Sequence, residues 1–227
     1  MAHSKRYQTV SKKINKNQVY PLAEAIKLVK ETATTKFDSA IEAHVRIGID
    51  SKKTDQQVRG SISLPFGTGK TKKIAAFVGA EKEKEAKEAG ADIVGGTELI
   101  DKIKQTGKID FDLAVATPEM MKNMAAIARI LGPRGIMPSP KNETITVNIK
   151  KTIGELKKGR VSFKNDATGN IHQSIGKASF EPQQLIENYN AFIQAVRKAK
   201  PASSKGTYIK NIVLSSTMGP AVKVELS

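Results

Sequence analysis

Residues 67–71 read GTGKT, a Gly-rich stretch closing on Lys and Thr of the kind that wraps a nucleotide phosphate. The phosphate-binding loop also needs a first Gly, with four residues between it and the Gly-Lys pair, and that position is Leu64. The residues that follow read as a strand, so no helix N-terminus would face a phosphate. Gly67 and Gly69 lack the third Gly of a dinucleotide fingerprint, and the stretch reads as an inter-domain hinge. The three His, at positions 3, 44 and 172, have no metal-ligand spacing. Asp110 and Asp112 would share a face of a strand and could pair as acid and base. Nothing nearby supplies a nucleophile or an oxyanion site, so they read as solvent-facing loop charges. The chain has no Cys, which excludes disulfides, Cys-ligated zinc and thiol catalysis. No catalytic residue, metal site or cofactor is expected, and a nucleotide-binding enzyme built on the middle of the chain is the rival reading.

Two turns offer a different chemistry. FKNDATGN carries Lys164, Asn165, Thr168 and Asn170 as donors, with Gly169 allowing close backbone approach. TMGP combines the Thr217 hydroxyl, the apolar Met218, and Gly219 and Pro220 fixing the bend. Small polar residues on exposed turns suit contacts to sugar hydroxyls and bases of folded RNA, and they equally suit ordinary turn chemistry.

Charge favours the nucleic-acid reading. The formal net charge is +16, and residues 68–159 contribute only +5 of it. The outer segments, 1–67 and 160–227, carry the remaining +11. A basic surface built from both chain ends around a more neutral insert suits a polyanion, because Lys and Arg displace counterions condensed on phosphates. The opening MAHSKRYQTVSKKINKN has no apolar core and reads as a basic arm rather than a secretory signal or a transit peptide. No apolar run approaches the roughly 18 residues of a membrane span, and the arm lacks an apolar face for a membrane surface.

The elements that must position these residues alternate in kind. Pro21 sits where a first helical residue belongs, with Leu22, Ile26 and Val29 at helical spacing behind it. Residues 38–50 alternate: Ile41, Ala43, Val45, Ile47 and Ile49 on one face, Glu42, His44 and Arg46 on the other. Residues 58–64 give a second strand with Val58, Ile62 and Leu64 inward. The middle reads as strand 74–78, helix 81–89 ended by Gly90, strand 92–94, a helix capped by Thr97 and running through 104, strand 113–116, helix 118–131 with a stripe of Met120, Met124, Ile127 and Leu131, and strand 144–149. Such alternation predicts a parallel sheet with helices on its faces. The strand period then returns, with residues 161–164 and 171–180 as a hairpin, a helix over 181–200, and strands over 207–215 and 222–226. The predicted fold is a discontinuous α+β domain, an antiparallel sheet with helices, carrying an inserted α/β Rossmann-like domain. The expected boundaries are 1–67 plus 160–227 for domain one and 68–159 for domain two.

Several long blocks are then recognisable: KFDSAIEAHVRIGID, DQQVRGSISLPFGTGK, GADIVGG, FDLAVATPEMM, RILGPRGIMPSP, GRVSFKNDATGNIHQSIGKASF and STMGPAVKV. In order and over nearly the whole chain, they resemble the bacterial large-ribosomal-subunit protein L-one family. The resemblance implies a structural constituent of the large subunit that is monomeric when free and cytoplasmic on the ribosome. Its implied partner is the rRNA of a mobile stalk near the tRNA exit site, where it assists release of deacylated exit-site tRNA. It also implies translational repression through the protein's own operon mRNA. By position, the implied RNA-binding residues are Lys36, Phe37, Asp38 and Glu42, then Phe163, Lys164, Asn165, Asp166 and Gly169. His172, Lys177 and Ser179 follow, and Thr217, Met218, Gly219 and Pro220 form the last turn. Lys164 and Lys177 would neutralise phosphate, Thr217 and Ser179 would bond 2′-hydroxyls, and Phe37 and Met218 would shield those bonds from water. Glu42 and Asp166 would accept hydroxyl or base protons or orient a nearby Lys. Ala167 stands where family members often carry Lys, and Arg134 would either reach RNA from domain two or hold a tight turn.

Overall fold

The structure is a computed structural model that describes residues 4–15, 17–51, 53–140 and 143–226; His3 lies outside the described residues. Its contacts divide the chain into two compact units, residues 1–69 with 161–227, and residues 70–160.

The first part of the chain supplies two helices and two strands. Ser4 caps α1 (Lys5–Ser11), its hydroxyl accepting the Tyr7 N–H. Pro21 is the N-cap of α2 (Leu22–Thr32), one place earlier than its expected position inside the helix, and Ala25, Ile26 and Val29 are fully buried. β1 (Ala40–Ile47) buries Ile41, Ala43, Val45 and Ile47, as its alternation requires. β2 (Arg59–Ser63) follows, with Val58, Ile62 and Leu64 in the same core.

Residues 70–160 open with β3 (Ile74–Phe77), buried at every position as expected of a strand covered on both faces. α3 (Glu83–Glu88) leads through Gly90, at φ 90°, into β4 (Ile93–Gly95). α4 (Thr97–Thr106) is entered from Gly96, so Thr97 is its first residue and not the expected cap. β5 (Leu113–Ala116) completes a parallel sheet of order β4-β3-β5. The helix predicted over 118–131 is broken into α5 (Met121–Met124), one turn of 3-10 helix and α6 (Ala128–Leu131). Its stripe of Met120, Met124, Ile127 and Leu131 is nevertheless core.

The strand expected over 144–149 does not form. Ile145 makes a single parallel bridge to Ala116, and α7 (Ile149–Lys157) then begins, capped by the Asn148 side chain. Ile145, Val147 and Ile149 alternate like a strand, but Val147 is exposed, while Ile149, Thr152, Ile153 and Leu156 are buried at helical spacing. Arg160 closes this unit through ion pairs with Glu143 and Glu155.

The chain then contributes β6 (Arg160–Lys164), β7 (Asn170–Lys177), α8 (Pro182–Lys198), β8 (Ile209–Ser216) and β9 (Ala221–Val224). β7, β1, β8 and β9 form a four-stranded antiparallel sheet in that order, whereas β6 pairs with β2. The predicted β6–β7 hairpin is therefore a corner between two sheets, where the bridge Asn165–Ile171 and the Asp166–Asn170 bonds of the turn link the two strands. Asn165 diverts β6: its side-chain oxygen accepts the Val58 N–H at 2.8 Å, and its own N–H donates to the Val58 carbonyl.

The α8 face that covers the sheet carries Leu185, Tyr189, Phe192, Ile193 and Val196, together with a buried Asn188. Asn188 accepts the Phe66 N–H at 3.1 Å and donates to the carbonyls of Gly67 (3.0 Å) and Ile175 (2.7 Å). One amide thus holds the segment leaving β2 against β7, and truncating it strands several backbone groups. Asn188→Ala is expected to lower the unfolding free energy by about 2–3 kcal/mol, read as a shifted urea midpoint by far-UV circular dichroism.

Candidate nucleic-acid interface

The start of β1, the foot of β7 and the β8–β9 turn meet at one end of the four-stranded sheet, because Ala40 pairs with Lys177 and Ile41 with Ser216. Thr217 fastens the turn to β1: its N–H donates to the Ala40 carbonyl at 2.9 Å, and its hydroxyl accepts the Ala40 N–H at 3.1 Å. The Gly219 N–H closes on the Ser216 carbonyl, and Met218 is left at φ 63°, in the left-handed region. That conformation costs a non-Gly residue on the order of 1 kcal/mol. The Arg6 guanidinium donates to the Met218 carbonyl at 2.8 Å and to the Thr34 hydroxyl at 3.1 Å, so the basic arm helps hold the turn.

Asp38 organises the opposite rim of this end. Its carboxylate accepts the Ser179 N–H at 3.1 Å and the Ser179 hydroxyl at 2.9 Å, while the Lys177 ammonium donates to its carbonyl at 3.1 Å. What remains presented is apolar and cationic. Phe37 is 58% exposed and Met218 68%, beside an exposed Lys36 and the half-buried Lys177. Gly219 is half-buried and Pro220 buried, which makes them part of the bend that aims Met218.

The open face of the sheet comes next. Along β1, Glu42, His44 and Arg46 lie opposite Ser174, His172 and Asn170 of β7, and opposite Ser215, Val213 and Asn211 of β8. His44 and His172 touch through their Nδ1 atoms at 2.8 Å, and His44 Nε2 lies 3.0 Å from the Ser215 hydroxyl.

The remaining candidates sit at the far end of β7. Along β1 that is the Arg46 end, roughly 20 Å from Ala40 at the usual strand rise. Lys164 is exposed there, but Phe163 is only 3% exposed and packs edge-to-face on Phe192, so it belongs to the core and cannot present a surface. Asn165 is buried and its amide is committed to Val58 and to the Asp166 carbonyl. Gly169, at φ 80°, accepts the Ile47 N–H at its carbonyl. Asp166 accepts the N–H groups of Thr168 (2.8 Å) and Asn170 (2.7 Å) and the Thr168 hydroxyl, which makes it the clasp of the turn. The sixteen expected residues therefore fall into an exposed end, an open face and a turn largely occupied with its own backbone. The expectation from sequence missed Arg6, whose signal was its place as the single Arg of the arm. It also left His44 and Arg46 as members of a polar face with no role.

The other motifs have structural uses. Gly67 and Gly69 both take positive φ, and Asp112 accepts the Lys73 N–H at 3.0 Å and so pins the entry to β3. Among the described residues there is no cluster of three potential metal ligands, and no helix long and apolar enough to cross a membrane.

Residues 29–220 match the model of the ribosomal protein L1p/L10e family. The chain belongs to that family. It is 52% identical over 222 residues to the large ribosomal subunit protein uL1 of Mycoplasma capricolum subsp. capricolum, covering 98% of each chain. Against the protein of the same name from Mesoplasma florum it is 51% identical over 224 residues, covering 99% of this chain and 98% of that one. As a member of the L1p/L10e family it is a ribosomal protein and not an enzyme. The family match includes Lys36 to Pro220 and leaves Arg6 outside, so the tie from the arm to the last turn is a feature of this structure beyond the matched region.

The Asp166 turn gives a pH test. The Asn170 N–H first, and then the Thr168 and Asn170 side chains and the Thr168 N–H, hold this carboxyl well below the ordinary range. A depressed carboxyl contributes stability above its unfolded value of about 4 and loses it as pH falls toward the folded value. The melting temperature of wild type should therefore exceed that of Asp166→Asn at pH 6, and the difference should shrink as pH is lowered from 5 toward 2.

Proposed function

We propose that this chain is a constituent of the large ribosomal subunit that binds a folded rRNA segment through the end and open face of its four-stranded sheet. The observation that carries the reading is the exposure of Phe37, beside Lys36 and Lys177, at the same end of the sheet as Met218, whose turn is held by backbone bonds and Arg6. Cations next to exposed apolar groups suit RNA. The cations displace counterions from phosphate, and the apolar groups cover sugar and base edges and keep water from the hydrogen bonds beneath. The formal charge of +16 agrees with a polyanionic partner, and relatives that share half the residues are named as large-subunit proteins.

The finer reading follows the resemblance. The rRNA is that of the mobile stalk near the exit site, and the chain assists departure of deacylated tRNA. It represses its own operon mRNA through a similar RNA fold, is monomeric when free and is cytoplasmic on the ribosome. Residues 70–160 act as a Rossmann-like insert carried on the RNA-binding domain. The parallel order β4-β3-β5 with helices between the strands supports that last assignment.

Filter binding to a stalk-rRNA fragment tests the reading. Log affinity should fall linearly with log salt, and Lys36→Ala should weaken binding and reduce that slope by about one. Thr217→Val should cost about 1–3 kcal/mol of binding free energy, because the turn that presents Met218 loses its hydroxyl bond to Ala40. A salt-independent affinity, or none for the fragment, would overturn the proposal.

A further inference from the structure

We propose that His44 and His172 form one proton-binding unit on the open sheet face that couples RNA affinity to pH; this rests on the RNA-binding reading above. The geometry defines the unit. Two Nδ1 atoms 2.8 Å apart require one proton between them, since two lone pairs or two N–H groups would repel. His172 Nε2 lies 3.5 Å from an Asp166 carboxylate oxygen, which favours a proton on that nitrogen. His172 Nδ1 is then the acceptor and His44 Nδ1–H the donor. The free lone pair of His44 is left at Nε2, where the Ser215 hydroxyl, 3.0 Å away, donates to it. Ser215, His44, His172 and Asp166 thus form a polarised chain in which both rings are neutral.

The unit accepts one proton readily and a second only by breaking. The first enters at His44 Nε2, 3.9 Å from the Glu42 carboxylate, and the resulting charge can pass to His172 by transfer of the Nδ1 proton. Ser215 must then turn from donor to acceptor, and its own O–H is released for another partner. A second proton would set two N–H groups face to face, so the pair titrates as a unit and not as two independent rings. Burial first, and then His172, hold His44 below the ordinary histidine value, with Glu42 opposing.

The other charged groups on this face define its surroundings. β1 supplies Glu42 and Arg46, the head of β7 supplies Asp166 and its foot Lys177, and β9 supplies Lys223 opposite Val213. Among the described residues, β8 adds only Asn211, Val213 and Ser215 to the stretch beside these rings. A phosphate brought onto the face favours the charged pair. Binding therefore takes up a proton, and affinity rises as pH falls from about 7.5 and levels off once the free chain is itself protonated.

Two measurements on the full chain test this. In a nitrogen-15 NMR titration without RNA, His44 should carry its proton on Nδ1 and His172 on Nε2 at pH 8. The two rings should titrate in coupled steps, and the His172 step should move in His44→Asn. Independent titration of the two rings would overturn the unit. In filter binding of a stalk-rRNA fragment at constant salt, wild-type affinity should rise about tenfold between pH 7.5 and 5.5. The double variant His44→Asn/His172→Asn, checked for folding by its NMR spectrum, should change less than about twofold over the same range. Equal pH slopes in both chains, with RNA still bound in a salt-dependent way, would overturn the coupling and leave the RNA-binding reading intact. Absence of binding at every pH would instead overturn the RNA-binding reading, and the coupling to RNA with it.

Discussion

The central position of β1 is the constraint on which the basic unit depends. Both its ladder partners come from the other end of the chain: His44 meets His172 across 128 positions and Ser215 across 171. Neither half of this unit can bury its apolar face alone, because Ile41, Ala43, Val45 and Ile47 need the cover of α8 and the flanking strands. The same register places Glu42, His44 and Arg46 of β1 beside Ser174, His172 and Asn170 of β7, with Ser215 and Asn211 of β8 flanking Glu42 and Arg46, which makes the open face one surface. A long intervening segment is a small obstacle to such closure. Loop entropy grows only logarithmically, about 0.6 kcal/mol for each doubling of length. Residues 70–160 moreover form a compact unit of their own, so the closure spans a folded body and not a slack chain.

Polar residues around the sheet divide by how they use their hydrogen bonds. Asp38, Asn165, Asp166 and Thr217 commit theirs to backbone groups or to neighbouring polar side chains within the unit. Lys36, Lys164, Phe37 and Met218 present their side chains to solvent. The first group fixes where the second points. Acidic residues in a surface proposed to meet phosphate make sense on these terms. Asp38 and Asp166 lie where backbone N–H groups and hydroxyls need an acceptor, and their charge is spent there.

Much of this was legible in the sequence, for reasons that differ by element. β1 declared itself because a strand with one buried face must alternate, and the stripe of α8 because a covered helix repeats near 3.6 residues. α7 was concealed because Ile145, Val147 and Ile149 mimic a strand, and only the Asn148 cap marks the change of period. The β6–β7 corner was concealed because a turn between two alternating segments gives no sign of whether they pair with each other. That choice is made by Asn165 reaching Val58, a contact remote in sequence. Phe163 carries an RNA-binding role only through the resemblance, and its ring lies in the core against Phe192. The pairing of His44 with His172 was beyond sequence pattern, because it follows from register and not from spacing.

Met218 shows how this surface could bind without a large ordering cost. A left-handed residue with a large exposed side chain is unfavourable in isolation, and it persists here because Thr217, Gly219 and Arg6 over-determine the backbone around it. The conformation is thus set before any partner arrives, and the entropy of fixing the turn is met in folding and not in association. The tie from Arg6 is the member of this set most remote in sequence. It comes from the chain terminus, on a helix of only two turns, and it consumes a cation that would otherwise face solvent. Its position is explained if holding Met218 in place is worth more to the surface than one further mobile positive charge. Phosphate attraction is long-ranged and supplied many times over by a chain of this charge, whereas the direction of one thioether is set only locally.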